Sequence, residues 1–280
     1  MITLNIGGVP EHFNLPWKLA IQNGSFEQLG VTINWKEYPT GTGAMCSDLR
    51  NGSLDVAVLL TEGIVADIAK GNPSSIVQVY VKSPLMWGIH IAASSSIYEI
   101  SQLQGKRYAI SRFGSGSHLM AFVDARLRGW KLSDDQFVVV NNIQGAREAL
   151  KNGAADVFMW EKFMTKPLVD SGEFRRLDVR NTPWPCFMIA ARNEVVEKYP
   201  KEISAMQLVI NKSCGDFMRN PEAVSLVANG FNLSKEDAKE WFSATRWASS
   251  TEFPLISLVH AADTLKELNL IESVPSFLLS

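Results

Sequence analysis

The sequence predicts an α/β protein of two lobes, each a mainly parallel sheet flanked by helices, followed by a helical C-terminal tail. Three observations lead to this prediction. Short strand-like runs alternate with helical runs over the first two thirds of the chain, the alternation contains an internal repeat, and the last third is almost wholly helical. Alternating strands and helices are typical of βαβ units, whose strands pair in parallel.

The first series of elements contains four apolar or β-branched runs bounded by turn residues, at 2–7, 31–38, 55–60 and 75–81. Segments with helical spacing separate them, at 16–23, 44–51 and 62–71. A second series repeats the alternation, with strands expected at 107–111, 137–140 and 156–160 and helices at 117–128 and 146–151. Each series is long enough to form the sheet of one lobe.

A repeated segment links the two series. In both, a helix that opens with Gly-Ala ends in Asn-Gly and is followed two residues later by Asp-Val, with the aspartates at Asp55 and Asp156. Asn-Gly suits the end of a helix because glycine adopts a positive φ at little cost. A common helix-to-strand turn occurring twice by chance is the alternative. The matching order of the surrounding elements favours a true repeat.

The last third contains five helical segments with few strand signals between them, at 195–199, 202–219, 221–229, 235–245 and 255–268. A helical tail after two α/β series indicates a discontinuous first lobe to which the chain returns. We therefore assign residues 1–88 plus 193–280 to lobe one and 89–192 to lobe two, with a ligand cleft between them. The crossings are expected near 87–92 and 187–192.

Composition and charge exclude several classes of function. The formal net charge of −2 gives no general attraction for nucleic acid or anionic membranes. No apolar run approaches the roughly 18 residues that span a bilayer, so membrane insertion is not expected. The three cysteines lack CxxC spacing and are expected to be buried structural thiols.

The expected compartment depends on the start of the chain. No secretory signal precedes the first predicted strand, so the sequence as it stands predicts a cytoplasmic protein. Removal of a leader would instead make it periplasmic or lipid-anchored.

Four loops are candidates for the ligand site, at 8–16, 41–43, 61–62 and 111–118. In open parallel sheets, ligands bind at the carboxyl ends of strands, where such loops lie. The first three loops supply the candidate binding residues Pro10, Glu11, His12, Phe13, Thr42, Gly43, Thr61 and Glu62.

The fourth loop carries the strongest single signal. Gly114 and Gly116 let backbone N–H groups approach a ligand, and Ser115 and Ser117 add hydroxyl groups at the start of a helix. The positive end of the helix dipole favours an anion there, and Arg112 is positioned for a bidentate contact to it. An ordinary serine-capped helix start with a solvated arginine is the alternative.

Aromatic and histidine side chains complete the candidate set. Flat aromatic faces near the predicted crossings are available for stacking, with core packing as the alternative for each: Trp87, Trp160 and Trp184. Trp160 is followed by Glu161, the second-lobe counterpart of the pair at 61–62. His12 and His118 are expected to face each other across the cleft, where they hydrogen-bond a ligand or act as acid and base; capping or surface roles are the alternative.

Motifs for other chemistry are missing from the sequence. No HExxH or Cys–His pairing predicts a metal site, and no Ser/His/Asp order, Walker loop or dinucleotide fingerprint predicts catalytic residues or a nucleotide cofactor.

Several of these segments together resemble a known family. Gly-Val-Pro-Glu-His-Phe at 8–13, Tyr-Pro-Thr-Gly-Thr-Gly at 38–43, Leu-Thr-Glu-Gly at 60–63 and the run from Leu-Gln-Gly-Lys-Arg at 103–107 into the 111–118 loop are similar to type 2 periplasmic-binding-protein-like chains. That superfamily includes nitrate, sulfonate and taurine receptors and fungal thiamine-pyrimidine synthases. The likeness is strongest to its leaderless, substrate-binding-protein-like branch and runs in order over roughly 1–184.

The resemblance implies a solute-binding protein that closes on a small, anionic molecule, similar to the substrate-binding proteins of ABC transporters. Phosphorylated pyrimidine precursors, sulfonates and carboxylates all fit that expectation, and a transporter permease is the expected partner of an exported chain. The alternatives are an enzyme of thiamine- or menaquinone-like cofactor biosynthesis on the same scaffold and an intracellular ligand sensor. No cofactor is expected. The synthases use a cysteine-rich segment and lysine-bound pyridoxal phosphate, whereas Cys46 stands alone and no lysine ends a predicted strand beside the cleft.

Overall fold

The computed structural model of the protein describes residues 2–275 and residue 278. Within these residues, ten strands form two five-stranded sheets, and helices cover both. The predicted two-lobed α/β fold with a helical tail is confirmed. No helix among the described residues is long and apolar enough to cross a membrane.

The first sheet has the strand order β2-β1-β3-β10-β4. Its strands are β1 Ile2–Gly8, β2 Val31–Glu37, β3 Val56–Leu60, β4 Ser74–Val81 and β10 Phe187–Arg192. β1 pairs in parallel with β2 and β3, whereas β10 runs antiparallel between β3 and β4. The first lobe therefore includes a strand from a much later part of the chain.

The second sheet repeats this plan with the order β7-β6-β8-β5-β9. Its strands are β5 Met86–Ala92, β6 Tyr108–Ile110, β7 Phe137–Val139, β8 Val157–Glu161 and β9 Phe174–Asn181. β6 is parallel to β7 and β8, and β5 runs antiparallel between β8 and β9. Each sheet thus contains one antiparallel strand that begins where the chain enters that lobe.

Helices pack on both sheets. Those within the two α/β series are α1 Leu15–Gln22, α2 Thr42–Asn51, α3 Thr61–Ala69, α4 Gly116–Leu127, α5 Ile143–Lys151 and α6 Lys166–Asp170. The tail contains α7 Asn193–Lys198, α8 Pro200–Arg219, α9 Ala223–Phe231, α10 Lys235–Ala244 and α11 Leu255–Glu267. The tail returns to the first lobe, where α8 packs on α1 and α11 packs on α3.

The internal repeat has the same structure in both lobes. Asp55 accepts the backbone N–H of Asn5 at 2.8 Å, and Asp156 accepts that of Arg107 at 3.0 Å. In each case the aspartate that precedes a strand, β3 or β8, bonds to the backbone of the parallel strand beside it, at Asn5 within β1 or at Arg107 just before β6. The Asn-Gly glycines that end the preceding helices have φ angles of 81° and 72°, which explains the choice of glycine.

The chain crosses between the sheets at 82–85 and 182–186. The sequence analysis placed these crossings later, near 87–92 and 187–192, and so assigned β10 to the wrong lobe. The pairing of β10 with β3 and β4 places it in the first sheet. The segments at 87–92 and 187–192 are both buried apolar strands. Their composition therefore does not indicate which of the two sheets each strand joins.

The two crossing segments lie side by side and hydrogen-bond to each other. Thr182 donates its backbone N–H to the Leu85 carbonyl at 3.0 Å, and its hydroxyl accepts the N–H of Leu85 at 2.9 Å. Cys186 donates to the Ser83 carbonyl at 3.1 Å. Paired connections of this kind let two lobes move as rigid bodies about one hinge.

Candidate ligand-binding cleft

A cavity of about 330 Å³ lies between the two lobes. From the first lobe it is lined by Val9, Pro10, Glu11, Pro39, Thr40, Gly41, Thr42, Leu60 and Phe187. From the second lobe it is lined by Trp87, Ser111, Ser115, Gly116, Ser117, Asn142, Ile143, Gln144, Trp160, Glu161 and Met164, and from the first crossing by Leu85. Most of these residues end a parallel strand or follow one directly, so the cavity occupies the edge where the sequence placed the ligand.

The structure divides the candidate binding residues into two groups. Those that line the cavity are Pro10, Glu11, Thr42, Trp87, Ser115, Gly116, Ser117, Trp160 and Glu161. Those that do not are His12, Phe13, Gly43, Thr61, Glu62, Arg112, Gly114, His118 and Trp184. Neighbouring residues of one loop fall into different groups because a tight turn points successive side chains in different directions.

His12 lies in the core of the first lobe. It begins a short 3₁₀ turn, His12–Asn14, and is not among the residues that line the cavity. The ring centroid lies 4.1 Å from that of Trp241 and also contacts Phe13 and Phe231. Burial lowers the pKa of His12 to about 3, so the ring is neutral near pH 7.

His118 belongs to a separate aromatic cluster in the second lobe. Its ring centroid lies 4.6 Å from that of Phe137, and Nδ1 accepts the backbone N–H of Gly114 at 3.0 Å. Burial lowers its pKa to about 4. The expectation that His12 and His118 face each other across the cleft is therefore wrong, because His118 is packed within the second lobe and the second-lobe group near the His12 ring is Glu161, 3.7 Å from its Nε2.

The pair at 61–62 and Trp184 hold the second crossing in place. The Trp184 indole N–H donates to Glu62 Oε2 at 2.8 Å, and the Thr61 hydroxyl donates to the carbonyl of Pro185. All three side chains are buried. They tie the hinge to α3, so the structure gives them a role in joining the lobes.

Arg112 connects the lobes directly. It follows β6 in the second lobe, and its Nη1 donates to the Thr40 carbonyl of the first lobe at 2.9 Å. The guanidinium also lies against Gly43, where an added Cβ would be 1.8 Å from Nη2. Partial burial lowers the pKa of Arg112. The expected clamp on the ligand is instead an interlobe contact, and glycine at 43 leaves room for it.

We predict that Arg112→Ala shifts the ligand-free protein toward an open arrangement. A hydrogen bond from a charged donor contributes about 1.5–3 kcal/mol, so the closed population should fall about tenfold or more. Small-angle X-ray scattering should record a larger radius of gyration. Arg50→Ala, which removes an ion pair to Asp67 inside the first lobe, is the matched control. Equal radii for the two variants would contradict the interlobe role.

Two carboxyl groups face the cavity. Glu161, at the end of β8, accepts the backbone N–H groups of Phe163 and Met164 on Oε2 at 2.8 and 2.6 Å. Burial, with the neighbouring Glu11 adding to it, raises the pKa of Glu161 to about 8. Burial raises the pKa of Glu11 to about 7. No lysine, arginine or histidine is among the described residues that line the cavity.

The start of α4 offers hydrogen-bond donors. Ser115 and Ser117 lie with their hydroxyl oxygens 3.1 Å apart, and one hydroxyl proton is used between them. Backbone N–H groups of Ser111 and His118 occupy acceptor sites on these two oxygens. One hydroxyl proton therefore remains for an acceptor in the cavity, beside first-turn N–H groups that have no intrahelical partner.

Sequence reasoning missed the loop at the start of α5, which contributes Asn142, Ile143 and Gln144 to the lining. Asn142 caps this helix by accepting the N–H of Gly145 at 3.0 Å. The repeat contained the necessary signal, since it aligns 143–145 with the candidate loop 41–43. The sequence carried no comparable signal for four other lining residues, Met164, Leu60, Leu85 and Phe187.

No group of three or more potential metal ligands is clustered within residues 2–275 and 278. Cys46, Cys186 and Cys214 are free and buried, which confirms the expectation of structural thiols.

The folded protein holds three carboxyl groups with raised pKa values. These are about 7 for Glu11, about 7 for Glu62 and about 8 for Glu161, in each case chiefly through burial. An unfolded chain ionises these groups near pH 4.5. Above that pH the unfolded state binds fewer protons than the folded state, so these groups reduce stability as pH rises toward 8.

The buried histidines act in the opposite direction at lower pH. Burial lowers the pKa of His12 and His90 to about 3 and that of His118 to about 4, against 6.5 in the unfolded chain. Below pH 6.5 they offset the glutamates, whereas above it the glutamates act alone. We predict a nearly constant melting temperature between pH 5 and 6.5 and a fall of several degrees by pH 8, measured by calorimetry. Glu62→Gln should reduce the fall, and an increase in stability above pH 6.5 would contradict the assignment.

The sheet order, the paired crossings and a cleft at the strand ends define the type 2 periplasmic-binding-protein-like fold. Residues 87–179, which span nearly the whole second sheet, match the family model described as Ca3427-like PBP. The resemblance expected from the sequence is thereby confirmed. No match was found among curated proteins.

Solved structures agree with this assignment. The Candida albicans CA3427 gene product, described as defining a new family with the generic periplasmic binding protein fold, is 29% identical with a TM-score of 0.92 over 100% of this chain and 94% of that one. The alkanesulfonate-binding protein SsuA of Xanthomonas axonopodis pv. citri, bound to MOPS, is 18% identical with a TM-score of 0.82 over 99% and 97%. The aliphatic sulphonate binding protein SsuA of Escherichia coli is 19% identical with a TM-score of 0.71 over 99% and 91%.

Proposed function

We propose that this protein is a solute-binding protein that closes on a small organic molecule between its lobes. The observation that carries the proposal is the cavity of about 330 Å³ to which both lobes contribute. Its volume lies in the range of small-molecule sites, and its mostly apolar lining with a few polar groups is typical of them. Sulfonate-binding structural neighbours support the same use of the cleft.

An anionic or hydrogen-bond-accepting group of the ligand is proposed to bind at the start of α4. Gly116 and Ser117 line the cavity there, and the adjoining serine hydroxyls retain one proton for donation. The first turns of α2 and α5 reach the same cavity through Thr42 and Ile143, and helix N-termini attract anions. A sulfonate, phosphate or carboxylate would be held by these dipoles and donors, without a basic side chain of the lining.

Binding is proposed to work by a population shift. A ligand that contacts both lobes stabilises the closed arrangement, in which Arg112 reaches Thr40, more than an open one. The hydrogen-bonded crossings at 82–85 and 182–186 act as the hinge, with Trp184 and Glu62 anchoring it to the first lobe.

A thermal-shift screen tests the proposal. The panel contains phosphorylated pyrimidines, alkylsulfonates, aminoalkylsulfonates, nitrate, bicarbonate and small carboxylates. Ligand at a thousand times its dissociation constant stabilises the native state by about 4 kcal/mol, which corresponds to a shift of several degrees. A ligand found in this way should also reduce the radius of gyration in solution. Binding without any change in the scattering of wild-type protein or of the Arg112→Ala variant would contradict lobe closure.

The setting in which the protein works is a separate proposal. Its free, buried cysteines suit a reducing compartment, and we propose a cytoplasmic role as a ligand store or sensor. Fractionation of cells that express the complete gene with a C-terminal tag tests this. Recovery outside the cytoplasm would favour transport with an ABC permease as partner.

Catalysis is the second candidate function, and the two cavity carboxyl groups favour it. Carboxyl groups with pKa values of about 7 and 8, as at Glu11 and Glu161, are suited to proton transfer near neutral pH. Incubating the protein with each ligand found in the screen and analysing the mixture by mass spectrometry separates the two functions. A ligand recovered unchanged supports binding, whereas a product that Glu161→Gln fails to form supports an enzyme.

A further inference from the structure

The second-lobe wall of the cavity holds two buried polar atoms without a partner. Glu161 Oε1 and Trp87 Nε1 make no hydrogen bond to any described residue, although both side chains line the cavity. Glu161 is 3% exposed and Trp87 is 4% exposed. Buried polar groups nearly always have a partner, and one that faces a cavity points to the ligand as that partner.

The two side chains come from neighbouring strands. Trp87 on β5 and Glu161 on β8 are directly opposed in the antiparallel register of the second sheet. Side chains of opposed residues project from the same face of a sheet and lie about 5 Å apart at Cβ. The wall therefore presents a hydrogen-bond donor, which is all that an indole nitrogen can be, and a carboxyl oxygen that accepts a hydrogen bond once Glu161 is ionised.

No basic side chain of the described residues hydrogen-bonds the free oxygen of Glu161, although Lys162 and Arg176 both lie close enough to interact with its charge. From the first lobe it is approached by Glu11 and by the neutral ring of His12, whose Nε2 is 3.7 Å from Oε2. Lys162 is engaged with Glu240, and Arg176 on β9 donates to the Lys162 carbonyl. None of these basic groups lines the cavity. A ligand group placed here meets an acidic surface.

We propose that the Glu161–Trp87 edge binds a proton-bearing nitrogen of the ligand, with an adjacent acceptor atom directed to the indole N–H. The nitrogen is an ammonium, amidinium or ring amino group. This inference rests on the proposed binding function and deepens it. The solute then carries an acceptor or anionic group at the start of α4 and a nitrogen donor at this edge, so it is not a simple alkyl anion.

Two matched probe pairs test the proposal by calorimetric titration. Taurine is compared with propane-1-sulfonate, and 4-aminopyrimidine with 4-methylpyrimidine, so that within each pair an amino group replaces a methyl group. The amino member should bind about 10- to 100-fold more tightly, as a charge-assisted hydrogen bond predicts. Methyl members that bind as tightly as amino members would overturn the inference and leave the proposed function intact. Failure of all four probes to bind at 10 mM would also overturn it, whereas the proposed function is judged by the wider screen.

The variant Glu161→Gln isolates the free oxygen. Its amide oxygen can still accept the Phe163 and Met164 N–H groups, while its NH₂ places a donor where Oε1 lies. The preference for the amino member should disappear, and affinity for the methyl member should change less than threefold. Asp124→Asn is the matched control, since Asp124 is as buried as Glu161 and lies in the same lobe but outside the lining. Loss of the preference in the control as well would contradict a role specific to Glu161.

The pH dependence of affinity gives an independent readout. Glu161 loses its proton as pH rises from 6 to 8.5, because burial raises its pKa to about 8. Taurine keeps a charged ammonium over most of this range, so its affinity should rise with pH by about tenfold, and proton release should appear as a buffer-dependent heat. Propane-1-sulfonate should bind more weakly as the carboxylates ionise. Falling taurine affinity over the same range would overturn the inference.

Discussion

Replacing Gly116 by valine is expected to abolish tight ligand binding while leaving the protein folded. A Cβ at this position would lie 2.5 Å from Leu60 Cδ1 and 3.0 Å from Trp87 Cη2. Leu60 belongs to the first lobe and Trp87 to the second, so a side chain here separates the lobes and occupies the cavity. Overpacking costs about 1–3 kcal/mol, which corresponds to a loss of affinity of roughly 10- to 100-fold in a ligand that needs the closed state.

Two measurements separate this effect from unfolding. Titration with the strongest ligand of the screen gives the affinity, and scattering of the ligand-bound protein shows whether the lobes still close. Gly230→Val is the matched control, because a Cβ at Gly230 in α9 meets nothing within 4 Å. A Gly116→Val variant that binds and closes like the control would show that the two lobes do not approach each other at this glycine.

The repeat explains why the lobes could be predicted from the sequence. The Asn-Gly turn followed by Asp-Val is local, and its chemistry is satisfied within one lobe, since Asp55 and Asp156 each bond to the backbone at the neighbouring parallel strand of their own sheet. The order of these units then fixes which loops meet at the carboxyl edge. Pro10, Thr42 and Ser115 were found on this basis.

The direction of individual side chains within a loop could not be predicted. Glu11 lines the cavity, whereas His12, the next residue, begins a 3₁₀ helix and packs against core aromatic side chains without lining the cavity. Arg112 depends on a contact with Thr40, 72 positions away, that exists only when the lobes meet. Such features follow from tertiary geometry. The alternation of strands and helices and the spacing of apolar residues along the sequence do not report on it.

Gly145 and Gly43 occupy equivalent positions in the repeat. Gly145→Ala is expected to lose more stability than Gly43→Ala. An added Cβ would lie 2.0 Å from the Val140 carbonyl oxygen and 3.0 Å from its carbon. This backbone is held by a hydrogen bond from the Val140 N–H to Ile110 and by a positive φ of 66° at Asn141. Since backbone cannot give way as a side chain can, we expect a loss of about 3 kcal/mol in the free energy of unfolding.

Its counterpart in the repeat, Gly43→Ala, provides the control. There the added Cβ meets only the end of the Arg112 side chain, which can move at the cost of its hydrogen bond to Thr40, so the free energy of unfolding should fall by about 1.5 kcal/mol at most. Chemical denaturation of the two variants and of wild-type protein measures the difference. The two glycines would then serve different purposes at equivalent positions: Gly145 lets α5 approach its preceding strand, whereas Gly43 admits the interlobe arginine. Equal stability of both variants would mean that the close approach at Val140 is relieved by movement of α5, and with it of the cavity lining at Asn142.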